Sequence, residues 1–463
     1  MSRVVMFVFN DCRTDARVLR EAGTLLAAGH SVRIIARPTK PNATEGDREI
    51  RDGIEIIRVP PPHAWRFYWN WVRHPWDSRK WWKGRTRVAL GALPRSIPKL
   101  VALVIFGAVT VVWAIVRAPF NARSNKRPAP PGGSALDWLV KWRFSVIGWA
   151  KLGAVEAGQA DVYHGHDLSG LEAAGRAHMR YGGHLIYDSH EIFLESGSNA
   201  WRPRVVKRYI ARREQAWMRE VAALVTVNES LARELGDRYR PRRTVVVHNC
   251  PERWSPPSTP VDLIRDATGI HASAPIALYH GGFSRHRGME QLAEAILSPG
   301  LEEVHAVFLG YGALRDKLVA MTADDRFGGR LHVLDAVPPN ELLPWVASAD
   351  VAVVAIQPST LNHRLSTPNK LFEALAAGVP VVVSDFPEMR RIVLDGAIGP
   401  LGEVCRPDDI ADVARAILKI IDRSSEQRAA LRQRCLDAAH ERWNWETEAK
   451  GLLDLYAPMT ATR

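Results

Sequence analysis

Short apolar runs alternate with amphipathic stretches along most of the chain. Residues 4–9 have the pattern of a buried strand, residues 17–28 repeat apolar positions at helical spacing, and residues 31–36 form a second buried run. Gly29 follows the helical stretch, where glycine commonly ends a helix. This order predicts a β-α-β unit at the start of the chain.

The same alternation continues over several hundred residues. Further apolar runs, each a predicted strand, lie at residues 54–59, 161–164, 185–188, 224–228, 244–248, 276–280, 305–309, 331–334, 351–356 and 379–384. Helical patterns separate many of them, as at residues 289–297, 314–322 and 369–377. Because strands and helices alternate, we predict an α/β fold with parallel, doubly wound sheets.

Chain length and proline content indicate two domains. A chain of 463 residues exceeds one ordinary domain, and residues 251–260 hold four prolines, a composition typical of a stiff linker. We predict a first α/β domain at residues 1–250, a linker at 251–262, a second α/β domain at 263–423 and a C-terminal helical region at 424–463.

The first domain contains a predicted insertion at residues 63–158, rich in tryptophan and basic residues. Its aromatic and basic cluster comprises Trp65, Trp69, Trp71, Trp76, Trp81 and Trp82 with Arg66, Arg73, Arg79, Lys80, Lys83, Arg85 and Arg87. Indole rings favour the membrane interface and basic side chains favour anionic headgroups, so we expect an anionic membrane surface as a partner. Nucleic acid could use the same side chains, but no nucleic-acid module accompanies them, so we expect no nucleic acid.

A charge-free run at residues 100–116 lies in the same insertion, at the lower length limit for a transmembrane helix. Strands on both sides of it belong to one predicted sheet, so a single crossing would separate them. Residues 136–150 form a second apolar stretch, interrupted by charges, that fits an amphipathic helix. We predict a monotopic or re-entrant anchor, with a buried core helix at 100–116 as the alternative.

Cysteine usage and the N-terminus bear on location. Cys12, Cys250, Cys405 and Cys435 are scattered without metal-type spacing, as expected for a reducing compartment. Asn10 ends the first apolar run before a signal-peptide core could form. We therefore expect a cytoplasmic protein, peripheral or monotopic on the inner face of the cell membrane.

The strongest chemical signal is the segment from Pro368 to Pro380. Pro368, Asn369 and Lys370 lead into a predicted helix, and the free backbone N–H groups of a helix start attract phosphate. Glu373, one turn further on, could reach the ribose hydroxyls of a nucleotide. The alternative is a well-capped helix with no ligand.

Residues 368–385 resemble the donor-binding signature of the retaining glycosyltransferases of family 4, in a form with Pro-Asn-Lys before the helix. Residues 15–30 resemble the first helix of such enzymes, and residues 279–288 resemble the opening loop of their second domain. The resemblance implies the GT-B architecture of two facing Rossmann-like domains. It also implies a nucleotide-sugar donor and transfer with retention of configuration.

The loop between Gly281 and Gly288 departs from the family pattern. Gly282 stands where the family often has a diphosphate-binding arginine, and Arg287 stands where it often has a lysine. We expect Gly281, Gly282 and Arg287 to contact the donor, with Arg285 or Lys370 as a second cation, although Arg285 could equally be a surface charge. Leu365 replaces a second glutamate that contacts the sugar in many members, so the sugar contacts must differ.

Polar residues follow two strands of the first domain, at the edge where α/β folds bind ligands. By resemblance, His166 matches a histidine near the reacting sugar, and we predict catalytic roles for His166 and Glu373. Asp188, His190 and Glu191 resemble a segment seen in a subset of the family. They could face the acceptor or cap the next helix.

The sequence therefore predicts a retaining hexosyltransferase-type enzyme that uses a nucleotide sugar and a glycan or lipid-linked acceptor, in cell-surface polysaccharide or glycolipid synthesis. No Asp-x-Asp motif or ligand-spaced histidine cluster is found, so we expect neither a required metal nor another cofactor. Two alternatives remain: a nucleotide-sugar epimerase or hydrolase of the same fold, and a non-catalytic, membrane-bound partner.

Overall fold

Two largely parallel sheets organise the chain, as the alternation of apolar runs predicts. The computed structural model describes residues 1–40, 43, 45–62, 135–257 and 262–460. These form two units, of which the first comprises Met1–Val225, Tyr239–Thr244 and Leu455–Arg463, and the second comprises Thr226–Arg238 and Val245–Asp454.

The first sheet has eight strands in the order β3-β4-β2-β1-β5-β6-β7-β8 among the described residues. Its strands are β1 (Arg3–Phe7), β2 (Ser31–Ala36), β3 (Asp47–Arg51), β4 (Ile54–Arg58), β5 (Val162–His166), β6 (His184–Ser189), β7 (Ala223–Thr226) and β8 (Thr244–Val246). Its helices are α1 (Ala16–Ala27), α2 (Ala135–Lys141), α3 (Ile147–Ala157), α4 (Asp167–Tyr181) and α5 (Arg204–Met218). Helix α6 (Glu229–Tyr239) follows β7 in the chain, but all of it except Tyr239 belongs to the second unit. Central strands such as β1 and β5 pair in parallel and are nearly fully buried, which explains their continuous apolar runs.

Strand β3 was not predicted from the sequence. It is antiparallel to β4 at the edge of the sheet, and its residues Asp-Arg-Glu-Ile-Arg are largely exposed. A strand with little burial lacks the apolar run by which the others were recognised.

The chain after residue 134 belongs to the packed body of the first unit. Helix α2 continues through a π-helical turn, Trp142–Val146, into α3. Trp142 and Trp149 are fully buried, and α3 packs against α4. The interpretation of residues 136–150 as an interfacial amphipathic helix is therefore wrong. Residues 135–157, assigned to the insertion 63–158, form part of this domain's core instead.

The second sheet has six strands in the order β11-β10-β9-β12-β13-β14 within the described chain. They are β9 (Ile276–Gly282), β10 (His305–Tyr311), β11 (Leu331–Asp335), β12 (Val351–Val354), β13 (Val381–Ser384) and β14 (Gly402–Cys405). The helices are α7 (Leu263–Thr268), α8 (Met289–Ala295), α9 (Arg315–Met321), α10 (Leu342–Ala347), α11 (Leu361–Leu365), α12 (Asn369–Ala376), α13 (Pro387–Val393), α14 (Ile410–Ile421), α15 (Ser425–Glu441) and α16 (Trp445–Thr460). Strand β14 has the sequence Gly-Glu-Val-Cys, which lacks a continuous apolar run, and was not predicted.

Two features concern the membrane and the cysteines. No helix in the described parts of the chain has the length and apolar character needed to span a membrane. The candidate run at residues 100–116, like the aromatic and basic cluster at 65–87, lies outside the described residues. All four cysteines are buried, and none forms a disulfide bond.

Candidate functional site

A buried polar cluster lies at the carboxyl ends of β5 and β6 in the first unit. His166 ends β5 and pairs in register with Asp188 of β6, so both side chains lie at the same edge of the parallel sheet. His190 follows β6 directly. The structure therefore brings His166, predicted to be catalytic, together with Asp188 and His190, predicted to face the acceptor.

Arg17 of helix α1 holds this cluster together. Its Nε and Nη2 donate to the two carboxylate oxygens of Asp188 at 2.9 and 3.0 Å. The same Nε lies 3.0 Å from Oε1 of Glu21, one turn further along α1. All three side chains are buried, and the charges of Arg17 and Asp188 compensate each other.

Asp188 also accepts hydrogen bonds from two histidines. Nδ1 of His166 lies 3.3 Å and Nε2 of His190 lies 3.2 Å from its Oδ2. Burial alone would raise the pKa of Asp188, but Arg17 and His190 hold it well below the usual range. Burial opposes the charge on His190, yet Asp167 and Asp188 raise its pKa to about 10, so His190 is a cation at neutral pH.

His166 is the uncharged member of the group. Burial lowers its pKa in spite of the hydrogen bond with Asp188. Nδ1 of His166 also lies 3.3 Å from Nε2 of His190. Because an ionised carboxylate can only accept a hydrogen bond, we assign the proton of His166 to Nδ1. Nε2 then carries the lone pair, and that atom is buried without a hydrogen-bond partner among the described residues. His166 thus presents a buried hydrogen-bond acceptor.

Glu191, the remaining residue predicted for the acceptor side, follows His190 in the chain. Its backbone carbonyl accepts a hydrogen bond from Ser189 at 2.9 Å.

Four side chains of this cluster carry atoms of the kind that bind metal ions. Glu21, His164, His166 and Asp188 offer ligand atoms within 4.8 Å of one another. However, Arg17 already pairs with both carboxylates, and a metal ion would lie against its guanidinium. Burial and the charge of Asp188 raise the pKa of Glu21 well above its usual range. The arrangement suits proton-bearing groups better than a cation.

The second unit carries the residues predicted to bind the donor. His280, near the end of β9, is buried, and its Nε2 lies 3.0 Å from Oε2 of Glu373 in helix α12. Glu373 keeps about a quarter of its side chain exposed (24%), so the carboxylate is held in place and remains accessible.

Lys370, one turn before Glu373, is enclosed against β9. Its Nζ lies over the ring of Tyr279, 3.5 Å from the centroid, and a Cβ added to Gly281 would be 3.6 Å from it. Burial lowers its pKa well below the usual range, the charge of Arg287 lowers it further, and Glu373 only partly offsets this. Lys370 and Arg287 therefore influence each other electrostatically within the second unit.

Glycine is needed at two positions, one at the end of β9 and one in the loop that follows it. Gly281 has φ of +103°, and Gly288 has φ of +85° at the start of α8, where an added Cβ would lie 2.2 Å from the carbonyl oxygen of Ala355. Arg287, directly before Gly288, is half-buried, whereas Arg285 and Gly282 are exposed. Arg287 is thus partly enclosed, and its charge acts on Lys370. Arg285 is an exposed charge at the surface.

Helix α12 begins without a side-chain cap. Pro368 is extended at the N-cap position, and the side-chain oxygen of Asn369 accepts a hydrogen bond from Nδ2 of Asn249 at 2.8 Å. Asn228 donates to the carbonyl of Leu365 at 2.8 Å and to Oγ1 of Thr367 at 3.2 Å. The turn before the helix is therefore held by asparagines from elsewhere in the second unit.

The sequence interpretation missed several of these residues. They are Arg17, Glu21, Tyr279, His280, Asn228 and Tyr456, whose hydroxyl lies 2.8 Å from Nδ1 of His164. One signal was present: Arg17 and Glu21 lie in the same stripe of α1 as the buried Val18, Ala22 and Leu25. Charges within an apolar stripe indicate a buried ion pair.

Two family models match the chain. One described as "Glycosyl transferase 4-like domain" covers residues 14–250, more than half of the chain. Another, described as "Glycosyl transferases group 1", covers residues 274–423.

A curated relative is similar over part of its length. The D-inositol 3-phosphate glycosyltransferase of Xylanimonas cellulosilytica is 30% identical over 220 residues, which are 46% of this chain and 50% of the relative. The chain thus spans about half the length of that relative.

Solved structures resemble the whole chain. Sucrose-phosphate synthase from Thermosynechococcus elongatus has a TM-score of 0.65 at 16% identity, covering 100% of both chains. The structure described as trehalose-6-phosphate from E. coli bound with UDP-2-fluoro glucose has a TM-score of 0.64 at 14% identity, covering 98% of this chain and 99% of its own. At these identities the likeness shows the fold, and the predicted α/β class with GT-B architecture is confirmed.

Proposed function

The chain belongs to the glycosyl transferase 4-like family of glycosyltransferases, and on that premise we propose that it moves a sugar from a nucleotide sugar to a glycan or lipid-linked acceptor with retention of configuration. The observation that carries this proposal is the His280–Glu373 pair beside Lys370 at the start of helix α12. This arrangement brings together a fixed carboxylate, a buried amine and the start of a helix, where the backbone N–H groups have no partner within the helix.

The donor binds the second unit in this proposal. Glu373 accepts hydrogen bonds from the ribose hydroxyls, while Arg287, Lys370 and the N–H groups at Asn369 face the diphosphate. As the bond between the anomeric carbon and the diphosphate breaks, negative charge grows on the leaving oxygens. These positive groups stabilise that charge without reorganising, and no metal is required.

The acceptor side is assigned to the cluster of the first unit. The buried Nε2 of His166 is suited to accept a hydrogen bond from a sugar or acceptor hydroxyl, because Asp188 fixes the other ring nitrogen as the donor. Arg17 and His190 keep Asp188 ionised, which maintains this tautomer. Glu191 completes the proposed acceptor side.

A UDP-sugar is the proposed donor class, because a structurally similar protein is described bound to UDP-2-fluoro glucose. The tryptophan-rich and basic sequence at residues 65–87 supports an acceptor at an anionic membrane, on the cytoplasmic face of the cell membrane. The product would then enter cell-surface polysaccharide or glycolipid synthesis.

A nucleotide-sugar panel tests the proposal. Purified protein is incubated with each donor, with and without a lipid-linked or glycan acceptor, and nucleotide release is measured. We expect acceptor-dependent release with one donor, its loss in Glu373→Ala, and its retention in Glu441→Ala, which removes an exposed carboxylate. Donor consumption without acceptor would indicate an epimerase or hydrolase, and failure to bind any donor would indicate a non-catalytic protein. Either result would contradict the proposal.

A further inference from the structure

Helix α5 exposes a basic and apolar face in the first unit. Arg204, Arg208 and Arg212 follow one another at four-residue spacing, so they share one side of the helix, and all three are exposed. Val205 and Tyr209 lie beside them and are 58% and 37% exposed, and Trp201, just before the helix, is 58% exposed. We call these six residues the α5 face.

The α5 face carries three positive charges. None of its three arginines forms an ion pair with any residue that the structure describes, whereas two neighbours on the same helix do. Lys207 pairs with Glu195 at 3.2 Å and Arg213 with Glu172 at 2.7 Å. The exposed arginines are therefore available to an anionic partner.

The opposite side of the helix explains why this face stays in solvent. Val206, Ile210 and Met218 are buried, and the only acidic residue of α5, Glu214, also points inward. Its two carboxylate oxygens accept hydrogen bonds from the hydroxyls of Tyr187 at 2.9 Å and Tyr239 at 2.7 Å. The helix is thus fixed with every carboxylate removed from its outer face.

An aromatic cluster fixes the segment that precedes the helix. The guanidinium of Arg202 packs over the rings of Trp138, Trp142 and Phe193 at 4.6 to 5.5 Å. Because Arg202 is held on the domain, its neighbour Trp201 projects as an exposed ring. Trp201 of the α5 face therefore lies directly beside a packed part of the domain.

We infer that the α5 face is a docking surface for the anionic headgroups of a phospholipid membrane. Arginine beside exposed tryptophan, tyrosine and valine is the composition of interfacial helices, in which the cations meet lipid phosphates and the apolar groups enter the headgroup region. A strongly charged partner such as nucleic acid would satisfy the arginines but leave Val205 without a contact.

The position of this face in the chain agrees with the inference. Helix α2, where the described chain resumes at residue 135, packs against α5. Pro62, where it stops, lies against Gly148 of helix α3. The described residues that flank positions 63–134 therefore contact helices of the first unit. The inference deepens the proposed function, on which it rests for a membrane-bound acceptor.

A fluorophore on the α5 face tests membrane contact directly. The native cysteines are buried, so an environment-sensitive dye can be attached selectively to Tyr209→Cys or, as a control, to the exposed position in Lys450→Cys. We expect a blue shift at 209, and none at 450, with vesicles of phosphatidylcholine and phosphatidylglycerol at low salt. The shift should disappear with phosphatidylcholine alone. No shift at 209, or a shift with single-stranded RNA and not with vesicles, would overturn the inference.

Charge reversal tests the arginines in the full chain. Each basic residue near an anionic surface strengthens membrane binding. The triple variant R204E/R208E/R212E should therefore bind anionic vesicles with about a hundredfold lower affinity, measured by co-sedimentation. A charge-matched control, R180E/R242E/K450E, reverses three other exposed cations and should behave as the wild type. Unchanged sedimentation of the first variant would contradict the inference.

The two proposals can fail separately. Donor affinity of R204E/R208E/R212E should equal that of the wild type, because the α5 face is not part of the donor site. If vesicle binding is lost while donor affinity is kept, both proposals stand. If the wild type binds vesicles through 209 but binds no nucleotide sugar, the proposed function fails and the docking surface stands. If the triple variant does not fold, the fluorescence shift of the dye at position 209, on the otherwise native chain, tests whether the α5 face contacts the membrane.

Discussion

Nε2 of His280 lies 3.0 Å from Oε2 of Glu373, which joins strand β9 to helix α12 within the second unit. His280 is 1% exposed, whereas the carboxylate keeps contact with solvent. The imidazole therefore fixes the direction of a carboxylate that a ligand can still reach. We regard His280 as the positioning residue for Glu373.

Replacing His280 should weaken donor binding. His280→Leu removes the hydrogen bond to a charged group, and we expect donor affinity to fall by about tenfold or more. His280→Gln retains a donor and should recover part of the loss, whereas His271→Leu, an exposed histidine of the same unit, should have no effect. Titration calorimetry measures each affinity. Wild-type affinity in His280→Leu would show that Glu373 needs no partner.

Lys370 should take up a proton when the donor binds. Its pKa is lowered in the free protein by burial and by Arg287, and a diphosphate beside Nζ would raise it. Because the ligand prefers the protonated amine, affinity should fall by up to about tenfold per pH unit as pH rises between the two pKa values. Calorimetry in buffers of different ionisation enthalpy should detect proton uptake, which Lys370→Met should abolish. Equal uptake in both proteins would contradict this role.

Arg17 should be essential for the stability of the first unit. Arg17→Met leaves Asp188 with no guanidinium partner in a buried site, and we expect a loss of about 3–5 kcal/mol in the free energy of unfolding. Arg13→Met is the matched control, because the Arg13 side chain is 60% exposed and its loss should cost less than about 0.5 kcal/mol. Urea unfolding compares them, and similar midpoints would show that the buried ion pair contributes little.

Two glycines with nearly the same backbone conformation should respond differently to alanine. Gly29 has φ of +87° with no atom within 4 Å of an added Cβ, so Gly29→Ala should cost about 1–2 kcal/mol of backbone strain alone. Gly288 has φ of +85°, and its Cβ would lie 2.2 Å from the carbonyl oxygen of Ala355. Gly288→Ala should therefore destabilise more in thermal unfolding and also weaken donor binding through Arg287. Equal effects of the two changes would contradict this.

Local signals explain how much of the fold could be predicted. The central strands carry continuous apolar runs because both of their faces are buried, so their positions and the α/β class follow from the pattern. Strand β3 escaped detection because it lies at an edge and is mostly exposed. The residues 136–150 were misinterpreted because tryptophan is compatible with a membrane interface and with a protein core, and only packing distinguishes the two.

The candidate site could be predicted only where one segment contains it. The start of helix α12 brings Asn369, Lys370 and Glu373 together within a single helix, so the segment itself indicates a phosphate site. The pairs His280–Glu373 and Arg17–Asp188 join residues 93 and 171 positions apart, and their contacts arise only when the sheets form. Positioning residues were therefore missed while the residues that they position were found.

The most direct measurement is the affinity of purified protein for a panel of UDP-sugars and other nucleotide sugars, determined by equilibrium dialysis for the wild type, Glu373→Ala and Glu441→Ala. We expect one nucleotide sugar to bind the wild type and Glu441→Ala with equal affinity. We expect the same nucleotide sugar to bind Glu373→Ala at least about tenfold more weakly, because its ribose hydroxyls lose a charged acceptor. Equal affinity in all three proteins would contradict the assignment of the donor site to helix α12.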